Sequence, residues 1–268
     1  MEEETKVNIE QIIIIGGGTS IRWLIKLDLW KKLQHTCTIG INFSFRDYYP
    51  TLLCCADFKF YTGCIDCVWK IHDKGVKWLD TKVYNKHFRQ ELKNLPLIVA
   101  PKRQDISENK TPTGDRALMK NTILLPYTTT HKYYGKDSKP EEIYHVIDQS
   151  GMWALGVACE IPTVKEIFLL GFDFGLENGE SHYYNHTKHR GQLPKINKWY
   201  DRNDKSVGAD YFYKPFIERY PNVKIYNVNT NSKINCFPKI TPTVFLDKIK
   251  GLPDTQEDLR KFIRKSLS

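Results

Sequence analysis

The sequence predicts a Rossmann-like α/β fold, a mainly parallel sheet with helices on both faces, and three observations carry that reading. The run "QIIII", residues 11–15, leads straight into three glycines and then into a helical pattern. Six further apolar runs follow, mostly separated by stretches long enough to hold a helix, as crossover-linked parallel strands require. The chain has 268 residues, 41% hydrophobic and 26% charged, which suits one substantial core.

Taken in order, four consecutive isoleucines (Ile12 to Ile15) suit a strand buried on both faces, and the glycines permit a tight exit from it. Thr19 or Ser20 then stands where it can cap a helix through "IRWLIKLDLWKKLQ", in which Ile21, Leu24, Ile25, Leu29 and Leu33 approximate one face. Strands are expected in "CTIGINF", "LLCCADF", "PLIVAP", "TILLP", "EIFLLGFD" and "VKIYNV". The stretch 141–160, "EEIYHVIDQSGMWALGVACE", reads as a helix or two, interrupted near Ser150-Gly151 because Ser and Gly weaken a helix locally. Residues 103–139 and 182–205 are polar and read as excursions over the sheet. The tail, residues 241–268, reads as an amphipathic helix packed on the core, with Leu259, Phe262, Ile263 and Ser266 on one side. Residues 1–240 then form the catalytic domain.

Forty Lys and Arg against 31 Asp and Glu give a net charge of +9. That excess favours phosphate-bearing partners through long-range attraction, without choosing among nucleotide-sugars, anionic glycolipids and nucleic acid. No apolar run approaches the roughly 18 residues a membrane span needs. The start, "MEEETKVNIEQ", is acidic rather than basic and then apolar, so a secretory leader is not expected. Seven scattered cysteines point to a reducing cytoplasm. Cys64 and Cys67 form a C-x-x-C with no second pair at zinc-ligand spacing, so no metal site is expected from them.

Four places carry candidate chemistry. Gly16-Gly17-Gly18-Thr19-Ser20 follows a buried strand and opens a helix, where free backbone N–H groups can hold phosphate; a tight turn that needs glycine only for its backbone is the competing reading. The loop lacks the Lys of a Walker motif and is not G-x-G-x-x-G. Asn42 and Asp173 each stand just beyond a strand, at the carboxyl edge where open parallel sheets collect ligands. An Asn there can hold a base or a sugar hydroxyl. An Asp can bind sugar hydroxyls, orient a histidine, ligate a metal or cap a local turn. "SHYYNHTKHRG", residues 181–191, places His182 and His186 four apart, a metal-ligand spacing only if the segment is helical. Its tyrosines and Asn185 argue for a loop. A histidine there suits a general base, and Tyr183 with Lys188 or Arg190 suits a departing phosphate.

These pieces in this order resemble the family 42 bacterial sialyltransferases and their Rossmann-like relatives, including pterin-diphosphokinase-like proteins of microbes and viruses. The resemblance runs from about Ile12 to Ile240. "GGGTS" is similar to the family's G-x-G-x-S loop, "GINF" to its C-N step after strand two, "QSGMWALGVA" to its [ST]-S-G step, and "LLGFDF" to its G-[IF]-D-F. The resemblance implies a GT-A-variant sheet and a nucleotide-sugar donor. It puts the base at His186, a phosphate-contacting tyrosine at Tyr183, and a nucleotide-sugar site at Gly18, Ser20, Asn42, Gln149, Ser150 and Gly151. "NVNTNSKINCFPKI" resembles the family's C-P-N-S-x-[LI] segment and so adds Asn229, Thr230, Asn231 and Ser232. The chain departs from the pattern at Ile147, Gly175 and Ser181 and lacks the long linker before S-H-Y. It resembles a relative sharing the nucleotide-sugar fold rather than a sialyltransferase proper.

The expectation is a glycosyltransferase with His186 or His182 as base, Asp173 facing the acceptor, and a nucleotide-sugar as co-substrate with no further cofactor. The charge and the residues Lys132, Tyr133, Tyr134 and Lys136 leave room for an acceptor on DNA, such as a hydroxymethylated base turned out of the stack. Two other classes fit the same fold. One is a pyrophosphokinase or nucleotidyl-type transferase with a divalent metal at Asp173. The other is a non-catalytic nucleotide- or nucleic-acid-binding module.

Overall fold

A computed structural model describes residues 8–42, 44, 48, 50–54, 97–101, 122–125, 150–175 and 209–266. Among these residues seven strands form one sheet: β1 (Gln11–Ile15), β2 (Thr38–Ile41), β3 (Leu52–Cys54), β4 (Leu97–Pro101), β5 (Thr122–Leu125), β6 (Glu166–Leu170) and β7 (Lys224–Asn227). Their spatial order is β5-β4-β3-β2-β1-β6-β7, and every pairing is parallel. Each of the seven apolar runs of the sequence holds one of these strands.

The four isoleucines of β1 explain themselves by alternation. Ile12 and Ile14 lie in one buried cluster and Ile13 and Ile15 in the other, since successive side chains of a strand point to opposite faces. Its neighbour β6 repeats the arrangement: Ile167 and Leu169 join the first cluster, Phe168 and Leu170 the second. The two strands pair from Gln11↔Glu166 through to Ile15↔Leu170. A central strand covered on both sides needs no polar face, and these two have none beyond their first residues.

Helices cover both sheet faces. On the face of Ile12 and Ile14 lie α3 (Ser150–Cys159), α4 (Ala209–Arg219) and α6 (Gln256–Ser266), which contribute Trp153, Tyr213, Phe216, Leu259 and Ile263 to the cluster. On the other face lie α1 (Ile21–Lys26), α2 (Leu29–Lys32) and α5 (Pro242–Lys248), with Ile21, Leu24, Leu29 and Phe245 at 0% exposure. Residues beyond 240 therefore supply parts of both core layers. Thr241 caps α5, accepting from Val244 N, and Pro242 at the next position needs no N–H there. Among the described residues no helix is long and apolar enough to cross a membrane.

One helix expectation changes. The single helix after the glycines is broken at Leu27-Asp28: Asp28 adopts φ 60, ψ 40, the left-handed region that stops α1 and starts α2. Ser150 and Gly151 are the first described residues of α3. All of Met152 to Cys159 is buried, as expected of a helix apolar on every side; it lies over β1, β2 and β3 and beside α4. Most of the two polar excursions, and residues 141–149, lie outside the described residues.

Candidate site at the carboxyl edge of the sheet

The strand order fixes where a ligand site can form. From β1 the chain winds outward through β2, β3, β4 and β5, then returns to place β6 on the other side of β1. The loops after β1 and β6 thus leave the sheet in opposite directions, and the crevice between them is the switch point at which open α/β sheets bind ligands. The loop after β1 is Gly16 to Ser20; the loop after β6 is Gly171 to Gly175.

The two loops are joined by one carboxylate. Asp173 is 8% exposed. Its Oδ2 accepts from Ser20 N at 2.8 Å and Thr19 Oγ1 at 3.3 Å, and its Oδ1 accepts from Ser20 Oγ at 2.5 Å and Asn229 Nδ2 at 2.8 Å. Ser20 is the N-cap residue of α1, but its side chain makes no capping bond; the hydroxyl goes to Asp173 instead. Such bonds to an ionised acceptor are each worth about 1.5–3 kcal/mol, enough together to hold a buried carboxylate. Among the described residues Asp173 has no cationic partner. Asp173 thereby ties the loops after β1 and β7 to its own loop after β6.

The glycines are needed for this approach. A Cβ on Gly18 would lie 2.5 Å from Asp173 Oδ2 and 2.6 Å from Gly171 O, and one on Gly16 would lie 2.8 Å from Gly171 O. The backbone N–H groups of Gly16 and Gly18 donate to Leu170 O and Gly171 O. Three of the five loop N–H groups, counting that of Ser20, are therefore engaged by the protein itself. Gly17 is the half-buried member of the loop.

The loop after β7 is anchored just as firmly. Asn229 Oδ1 accepts from Asn231 N. Ser232 Oγ donates to Phe172 O at 2.7 Å and accepts from Asn227 Nδ2 at 2.9 Å. Lys233 N donates to Asp173 O, and Lys239 Nζ donates to Ser232 O at 2.6 Å. Asn229 and Ser232 are buried, whereas Thr230 and Asn231 are exposed. Asn227 is fully buried, and among the described residues its Oδ1 has no partner. Beneath both loops Tyr213 packs its ring against Phe172, Phe174 and Phe237 at centroid distances of 6.2, 5.5 and 5.9 Å, an edge-on floor favoured by ring quadrupoles.

A second pairing stands at the end of β2. Asn42, at φ 50, donates from Nδ2 to Ser150 Oγ at 3.1 Å, and that hydroxyl lies 3.3 Å from Asn42 Oδ1. The adjacent Gly151 backs onto the aromatic floor, where a Cβ would lie 2.8 Å from Phe172 Cε1 and 3.0 Å from the Tyr213 hydroxyl. Asn42, Ser150 and Gly151 thus stand together at the same edge as the Gly16 to Ser20 loop, Asp173 and the Asn229 to Ser232 turn.

His182, Tyr183, His186 and Gln149 lie outside the described residues, as do Lys132, Tyr133, Tyr134, Lys136, Cys64 and Cys67. Among the described residues no group of three or more His, Cys, Asp or Glu is gathered for a metal ion. Sequence reasoning missed Asn227, Tyr213 and Lys233. A signal for Asn227 was available, because an amide inside the apolar run "VKIYNV" calls for buried partners. Comparison with protein-family models, with curated proteins and with solved structures returns no match.

Proposed function

We propose that this chain is a glycosyltransferase on a GT-A-variant sheet, moving a sugar from a nucleotide-sugar to an acceptor hydroxyl. One observation carries the reading: at the switch point of an all-parallel sheet, Asp173 ties the glycine loop to the Asn229 turn, with Asn42 and Ser150 beside them. Uncharged polar groups at such an edge suit the base, ribose and sugar hydroxyls of a donor better than they suit a redox or acyl-transfer centre. In the reaction, His186, or His182, takes the proton of the acceptor hydroxyl as its oxygen bonds the sugar carbon. The bond from that carbon to the nucleotide's phosphate oxygen breaks, and Tyr183 steadies the departing phosphate.

The net charge of +9 supports an anionic acceptor, and a hydroxymethylated base in DNA is the acceptor we propose. A metal-dependent pyrophosphokinase would need Asp173 as a ligand. Both its oxygens already accept from protein donors, which favours glycosyl transfer. Thermal-shift screening against nucleoside mono- and diphosphates and their sugar conjugates tests the reading. A true donor at about 100 times its Kd should add about 2.7 kcal/mol of stability. His186→Ala or His182→Ala should keep that shift and lose turnover by about 10²–10⁴-fold. No shift with any nucleotide, or turnover abolished by chelator, would overturn it.

A further inference from the structure

The glycine loop is the obvious phosphate cradle of this fold, and its own protein already takes three of its five N–H groups. A carboxylate of Asp173 sits on Ser20 N and Ser20 Oγ, where an incoming anion would otherwise accept. Gly16 N and Gly18 N are turned to the carbonyls of Leu170, which ends β6, and Gly171, which follows it. The helix that follows is only six residues long, so its dipole adds little. Among the described residues nothing cationic neutralises Asp173, so a phosphate brought to this loop would meet a resident negative charge in a poorly solvated place.

The β7 turn offers the opposite sign. Lys233 is exposed, and among the described residues its ammonium has no carboxylate partner. Its position is nevertheless fixed: the backbone N–H donates to Asp173 O, and its stem lies over the β6 loop, with Cε 3.6 Å from where a Cβ on Gly175 would stand. The residue before it is buried and held by Phe172 O, Asn227 and Lys239. On the far side, Asp210 Oδ1 accepts from Asn235 N and Cys236 N. An exposed ammonium on a turn pinned from both sides, at the switch point and with no carboxylate partner among the described residues, is placed to receive an anion.

Resting on the reading of this edge as a nucleotide-sugar site, we propose that the donor's phosphate is held on the β7 turn by Lys233, with Thr230 and Asn231 beside it, and not in the glycine loop. Lys233 is then a specificity residue for the phosphate, and the Asp173 carboxylate, seated on Ser20, turns phosphate away from the loop.

Calorimetric titration of the full chain with the four ribonucleoside diphosphates and the four matching nucleosides tests this. Lys233→Ala should weaken the preferred diphosphate about tenfold or more and leave its nucleoside unchanged, and Lys233→Arg should restore most of the loss. The dependence of diphosphate affinity on salt should flatten in Lys233→Ala. Because the side chain is exposed, both variants should melt with the parent. If the parent binds a diphosphate and Lys233→Ala binds it equally well, or loses nucleoside and diphosphate alike, this inference fails and the nucleotide-sugar reading stands. If the parent binds none of the eight compounds and none of the four nucleoside monophosphates, the nucleotide-sugar reading fails and this inference with it.

Discussion

Asp173 accepts four hydrogen bonds from three residues on two different loops. Replacing one oxygen with an NH₂ group in Asp173→Asn turns a donor toward Ser20 or Asn229, leaving at least two buried donors facing each other. The expected loss is about 1–3 kcal/mol, read from urea unfolding, together with weakened nucleotide binding if the loop geometry serves the donor. This contact could not be read from the sequence. Asp173 and Ser20 are 153 positions apart, as Asn42 and Ser150 are 108 apart, and no local pattern marks either pair. What could be read was the edge: each residue stands directly after an apolar run, or at the opening of a helix, and the topology does the rest. The glycines show the same limit. Their spacing is compatible with a phosphate loop, yet Gly16 and Gly18 answer to the backbone of Leu170 and Gly171 and to the side chains of Phe172 and Asp173.

At the scale of elements, strands were the legible part. A strand buried on both faces declares itself as an unbroken apolar run, and all seven such runs pair in the sheet. Helix ends were less legible, because they turn on single backbone angles. The break between α1 and α2 rests on Asp28 at φ 60, ψ 40, within a pattern whose apolar residues continue across it. An L-residue in that region carries strain that glycine does not. Asp28→Gly should therefore stabilise the chain, by up to about 1 kcal/mol in thermal or urea unfolding; destabilisation would mean that the Asp28 side chain contributes more than its geometry indicates. The amphipathic pattern of α6 was the most direct helical signal, and Leu259 and Ile263 are both fully buried.

For the whole molecule, burial of thiols sets an alkaline limit. Burial pushes Cys37 up to about 11 from 9.0, with nearby Asp254 adding to it, and pushes Cys236 up to about 12, helped by Asp210. Burial also raises Cys159, Tyr48 and Tyr220 above their ordinary ranges. The folded chain holds these protons more tightly than the unfolded one, so their contribution is complete below about pH 9 and is lost as pH climbs through the folded values. The melting temperature should stay level across neutral pH and fall above about pH 9; a level profile to pH 11 would contradict this. The position of β1 has a further consequence, for the nascent chain. Its neighbour β6 lies 155 residues downstream, so the ribosome delivers four consecutive isoleucines long before anything can cover that side of them. Until Leu170 has emerged, β1 presents an open, sticky strand edge, of the kind that recruits other chains. Synthesis that stalls before β6 should therefore yield an aggregating fragment, and the cell's holding chaperones should meet this protein as an unfinished sheet.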